Sequence, residues 1–199
     1  MDQRIPLTPR RWITACFLGW LAGIFLVILT SGTFDAIGLE GYQFYLGLSM
    51  GLSVGVLQWR LLHRTHGIGS GWLIASIVGV AVPFLLFDLL KKYGGMTTGP
   101  EALQYSTALG GAAAALWQTL ILRREGFSAS RWLFAGWSGW VLGTATVLAI
   151  DYTKYLSSNN LVLFALNLLL MIAGGAVYGA VTAVPLIKIL SSKRGAAEE

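Results

Sequence analysis

Three groups of residues in this chain have types and spacings that could do chemistry. Gln58, Gln118 and Thr182 each follow two small residues at four-residue spacing: Gly51 and Gly55, Gly111 and Ala115, Gly175 and Gly179. An amide or hydroxyl in an apolar stretch must find a partner, and three of them around one axis would form a polar triad, either a constriction for a ligand or ion or a set of packing hydrogen bonds. Asp35, Asp88 and Asp151 close three other apolar stretches, and Lys91 and Lys154 follow the last two at an i,i+3 spacing that puts opposite charges on one helix face. Such an outer charge ring could hold a proton or cation; snorkelling to a polar boundary is the alternative. His63 and His66 invite a metal reading, but no second ligand cluster completes a site, and Arg123 stands sixty residues after His63. Neither a nucleophile–base pair nor paired carboxylates are visible. The glycines of Gly67-Ile68-Gly69-Ser70-Gly71 follow an apolar helix rather than a strand, so they read as a turn and not as a phosphate loop. No catalytic, cofactor-binding or metal residue is assigned, and an enzyme is not expected.

The elements that carry these residues belong in a membrane. Of 199 residues, 55% are hydrophobic and 12% charged, with a mean hydropathy of +0.67. A soluble domain carries about 25% charged residues. This composition excludes a soluble enzyme, a DNA-binding domain and a disordered linker, and the net charge of +5 bears on orientation rather than on nucleic acid. Cys16 is the single cysteine, so neither an internal disulfide nor a disulfide-linked partner is expected. Arg10-Arg11 and Ile13-Thr14-Ala15-Cys16 imitate export signals. The apolar run starts at Trp12 and continues past Cys16 to Leu29, so it reads as a first membrane helix that stays.

Six apolar segments can be marked off, at about 12–32, 42–62, 72–90, 104–122, 132–151 and 161–187. Crossing a hydrocarbon core of about 30 Å takes roughly 20 helical residues, which the third and fourth segments barely reach. Pro83 is expected to kink the third. Eleven of the fourteen cations fall on one side, among them Arg4, Arg10, Arg11, Arg60, Arg64 and Arg123. Lys91, Lys92 and Lys154 fall on the other, with Asp35, Glu40, Asp88, Glu101 and Asp151. This asymmetry places both termini in the cytoplasm. All eight tryptophans lie in the inner halves of the segments and six tyrosines at their outer ends, which reads as two interfacial aromatic belts.

An internal repeat organises the whole chain. Trp12, Trp72 and Trp132 are sixty residues apart, and each is followed seven residues later by Gly19, Gly79 or Gly139. The Gly-x-x-x-small-x-x-Gln motif recurs at the same period, and a third copy ends in Thr182 after a slightly longer connection. The expected fold is therefore all-α: a polytopic membrane bundle of six transmembrane helices arranged as three parallel two-helix repeats, at about 12–64, 72–124 and 132–190 of a single transmembrane domain, 1–199, with N- and C-termini cytoplasmic. Inverted repeats, common in secondary transporters, are absent. Gly47, Gly51 and Gly55 line one stripe, as do Gly111 with Ala115 and Gly175 with Gly179, which lets neighbouring backbones approach closely.

The motif carried by Gly51, Gly55, Gln58, Trp59, Arg64 and Trp72 resembles a loose family of uncharacterised multi-pass membrane proteins of bacteria, especially cyanobacteria, built of such helical hairpins. The second copy reverses the order as Trp117-Gln118, and the third has Thr182 in place of glutamine. The resemblance implies a bacterial inner or thylakoid membrane and no stated activity. Asp88-x-x-Lys91 and Asp151-x-x-Lys154 are also similar to the P-x-[DE]-x-x-[KR] helix ends of the three-repeat mitochondrial carriers. Here, however, neither aspartate has a proline two residues before it, and Asp35 has no lysine three residues after it.

Two functions fit these features. One is an accessory, scaffold or assembly subunit that docks onto a larger membrane complex. The other is a small-solute or ion transporter or channel with a path along the pseudo-three-fold axis. No cofactor is implied, which leaves a bound lipid or pigment open; the bilayer is the expected partner and nucleic acid is not one.

Overall fold

A computed structural model describes residues 6–38, 42–95 and 102–195, and the side chains among them up to residue 192. Of the charged residues weighed above, Arg4, Glu40 and Glu101 lie outside the described residues, as do the side chains of Lys193 and Arg194. The fold is all-α. Its helices are α1 (Pro9–Ala36), α2 (Phe44–His66), α3 (Gly71–Tyr93), α4 (Ala102–Arg124), α5 (Ser130–Leu148), the single turn α6 (Ile150–Thr153) and α7 (Asn160–Gly195). Local chemistry sets their ends. Thr8 accepts the Arg11 N–H as the N-cap of α1, with Pro9 in the first turn, where its missing N–H costs nothing. Gly67 ends α2 at φ +73°, a left-handed conformation suited to glycine, and donates its N–H to the His63 carbonyl. Except for α5, which stops at Leu148 and continues into α6, the long helices run longer than the apolar segments, and α3 and α4 have 23 residues each. Pro83 lies within α3, which stays helical beyond it.

The six long helices form a closed ring. Each packs against the next along the chain, from α1 to α5, then α5 against α7, and α7 returns to α1. We call the end where α1, α3 and α5 begin the proximal end and the other the distal end. Four helical stretches are long and apolar enough to cross a membrane: α1, α3, α5 continued into α6, and α7. Helices of this kind point to a membrane protein. α2 and α4 have the same reach but are less apolar, because their ring-facing residues are small or polar: Gly47, Ser49, Gly51 and Gln58 in α2, and Ser106, Gly111 and Gln118 in α4.

The seams of the ring are backbone contacts. A Cβ on Gly79 would lie 2.5 Å from the Cα of Ala114, and one on Gly19 would lie 2.8 Å from the Cα of Val54. The predicted small-residue stripes lie at the other seams. Gly51 and Gly55 of α2 face Ser76 of α3, Ala115 of α4 faces Gly136 of α5, and Gly175 and Gly179 of α7 face Phe17, Trp20 and Cys16 of α1. Gly111 packs on the Cβ of Trp140, and Gly47 on Val80 and Phe84. Burial is uneven along the ring: beyond Gly23 α1 buries no residue, and neither does α7 before Gly174.

Candidate functional site

The polar triad and the repeated tryptophans meet at the proximal end of the ring. Trp12, Trp72 and Trp132 each lie in the first turn of an odd-numbered helix, and all three are fully buried. Their rings pack on one another: Trp72 on Trp132 with centroids 5.3 Å apart, and Trp12 edge-on to Trp132 at 6.0 Å. Each indole N–H donates to one member of the triad. Trp72 donates to Gln58 Oε1 at 3.2 Å, Trp132 to Gln118 Oε1 at 3.0 Å, and Trp12 to Thr182 Oγ1 at 2.8 Å. The donor and acceptor sit on adjacent helices, so the three bonds tie α3 to α2, α5 to α4 and α1 to α7.

The donor atoms of the triad are bonded as well. Gln58 Nε2 donates to Cys16 Sγ at 3.4 Å, and Gln118 Nε2 to Ser76 Oγ at 2.9 Å, each four residues beyond a tryptophan of the set. Thr182 donates back to the Tyr178 carbonyl of its own helix. The triad side chains are thus almost completely enclosed and face indoles rather than an open path. This is a plug: a stacked aromatic layer whose polar atoms are satisfied between helices.

The tryptophans expected in an interfacial belt do not form one set. Trp12, Trp20, Trp72, Trp132 and Trp140 belong to the core, whereas Trp117 and Trp137 are exposed and Trp59 is half-buried against the core. A first-turn tryptophan fits an interface equally well by sequence alone. The signal that separates the two is the fourteen-residue interval from Gln58 to Trp72, repeated from Gln118 to Trp132.

The charge-ring residues do not come together as one set. Asp88 is buried at the distal end of α3, and both its oxygens accept backbone N–H groups at the start of α2: Gln43 at 2.8–2.9 Å and Phe44 at 2.7 Å. It caps the neighbouring helix, satisfying donors that the first turn leaves free. Asp35, Lys91, Asp151 and Lys154 are exposed, and Lys154 lies over the Tyr155 ring. His63 stacks on Trp59 and its Nδ1 is 3.2 Å from the Ile68 carbonyl, while His66 Nδ1 is 2.8 Å from Thr65 Oγ1. His63 thus ties the end of α2 to the turn that follows it.

Above the plug the axis opens. Two helical turns beyond Trp12 and Trp132, Trp20 and Trp140 pack with centroids 5.9 Å apart and form the floor of a partly open cavity of about 260 Å³. All six long helices contribute to its wall, which is almost wholly apolar.

Fold and site together define an all-helical ring, closed at one end by aromatic packing, with four helical stretches long and apolar enough to cross a membrane. The chain matches no family model, and no curated protein or solved structure shows significant similarity to it.

Proposed function

We propose that the chain is a non-enzymatic accessory or scaffold subunit that docks onto a larger membrane complex or assists its assembly. The observation that carries this reading is the plug: Gln58, Gln118 and Thr182 cap closely packed helices instead of lining a hydrated path. Conduction along the axis, the alternative, would require three indoles and their hydrogen bonds to move aside.

In this reading all six long helices span the membrane as three parallel repeats. Its support is that the indole bond and the small-residue seam each recur three times around the ring. α2 and α4 are spans whose polar atoms face the ring. The proximal end, with Arg10, Arg11, Arg60, Arg64, Arg123 and Arg124, faces the cytoplasm together with both termini. The membrane is a bacterial inner or thylakoid one.

Native mass spectrometry of protein gently extracted from its own membrane tests the proposal. Partner subunits bound in fixed ratio are expected. A bare chain that carries flux in liposomes, with the flux abolished by Gln58→Leu and Gln118→Leu, would overturn it in favour of transport.

A further inference from the structure

The cavity above the plug has no role in the scaffold reading. Its floor is Trp20 and Trp140, and its wall includes Met50, Phe84, Leu103 and Val147. An apolar cavity of about 150 Å³ stays dry and accepts benzene, a six-carbon solute. On that scale 260 Å³ holds about ten carbons. That is too small for a pigment with an extended ring system or polyene and matches one stretch of aliphatic chain. The cavity opens in a telling direction. α2, α3 and α4 keep buried residues near their distal ends, including Ser49, Phe84 and Ser106, whereas α1 beyond Gly23 and α7 before Gly174 bury none. Ile28 of α1 lines the cavity and is 64% exposed. The open side thus faces laterally, where an apolar bundle meets the hydrocarbon of its bilayer.

We propose that this cup holds one aliphatic chain of a membrane lipid, entering from the distal side between α1 and α7 and ending on Trp20 and Trp140. Water gains little there, because the wall offers it few of the two to four polar partners a buried water needs. The two methionines of the wall, Met50 and Met171, add a flexible, polarisable lining that fits chains of different shape. The inference is independent of the scaffold reading, since the chain alone forms the cup.

The floor supplies its own reporter. In a variant with Trp59, Trp117 and Trp137 replaced by phenylalanine, the five remaining indoles are the core ones, each no more than 3% exposed. Reconstituted alone into phosphatidylcholine vesicles brominated in mid-chain, this protein should lose up to two-fifths of its emission, the share of Trp20 and Trp140 among five, relative to unbrominated vesicles. Adding Val27→Phe and Val147→Phe, which fill the cup, should restore the emission. Should the filled variant fail to fold, lipid extraction from the wild-type chain decides: one phospholipid retained per chain after detergent washing is expected, and none retained would overturn the proposal. Unchanged emission in brominated vesicles would overturn it too. So would quenching by aqueous acrylamide in place of the bromines, which would make the cup a wet vestibule.

Discussion

Gln118→Leu puts the plug to a quantitative test. Gln118 is 2% exposed and makes two interhelical bonds, accepting from Trp132 Nε1 and donating to Ser76 Oγ. Leucine nearly preserves the volume and removes both. Interhelical hydrogen bonds in membranes average about 0.6 kcal/mol, so the bonds alone account for about 1.2 kcal/mol. The substitution also strands the Trp132 N–H, whereas Ser76 keeps its bond to the Trp72 carbonyl. A buried donor left without a partner costs about 1–3 kcal/mol, a figure that already contains its own lost bond, so with about 0.6 kcal/mol for the Ser76 bond the whole change should cost about 1.6–3.6 kcal/mol, roughly 15- to 450-fold in the unfolding equilibrium. Cys16 provides the assay: it is the single cysteine, fully buried and hydrogen-bonded to Gln58 rather than Gln118, so its labelling by a thiol reagent in mixed micelles of rising SDS content follows unfolding. The decisive measurement is a double-mutant cycle with Trp132→Phe. With both partners gone no donor is stranded, so the double variant should be more stable than the two single costs predict, by about 1 kcal/mol or more. Additivity within about 0.3 kcal/mol would refute the reasoning.

Other outcomes follow from the seams and the cap. Gly79→Ala forces a Cβ against the backbone of Ala114 and should cost about 1–3 kcal/mol, read by the same labelling curve. Gly32→Ala, also in a helix but with nothing within 4 Å, should be neutral or stabilise by about 0.5–1 kcal/mol. Asp88→Ala should cost about 0.5–2 kcal/mol and raise hydrogen exchange at the amides that begin α2, while leaving the start of α4 unaffected. Equal exchange at both sites would show that Asp88 is not a cap.

Much of this arrangement was legible in the chain because helical periodicity and small-residue spacing are local. Gly51, Gly55 and their counterparts are four residues apart whatever they pack against, and the stripe alone predicts a close seam. What stayed hidden depends on contacts between residues that are far apart in the chain. Asp88 pairs with amides 45 residues upstream, and no side-chain type at Gln43 or Phe44 announces a backbone donor. Trp12 and Trp72 are the first apolar residues of their segments, a place that suits an interface and an axis alike. The cup is a space left between six helices, and no single segment encodes it. α2 and α4 are muted in hydropathy for the same reason, since their ring-facing residues are small or polar.

The departure at Thr182 is explained by its neighbours. Gln58 and Gln118 need both an indole donor and an acceptor for their own N–H groups, and Cys16 and Ser76 supply the acceptor. The place that corresponds to Cys16 and Ser76 in α5, four residues after Trp132, is Gly136, which offers none. Thr182 needs none, because its hydroxyl accepts from Trp12 and donates to its own backbone. The opposing residues change with it: Gly55 faces Ser76 and Gly179 faces Cys16, but Ala115 faces Gly136, so the larger partner has moved to the other helix. A Cβ on Gly136 would lie 2.9 Å from that of Ala115, so a serine there requires glycine at 115. Thr182→Gln alone should therefore destabilise by about 1–3 kcal/mol through a stranded amide. Gly136→Ser alone should destabilise by a similar amount through overpacking. Combined with Ala115→Gly, the two should cost less than their sum, since the seam and the hydrogen bond of the other two sites are rebuilt together. Thiol labelling at Cys16 reads these three variants and Ala115→Gly alone. A triple variant no more stable than the sum of its parts would mean that Gln58 and Gln118 owe their place to something other than this paired exchange.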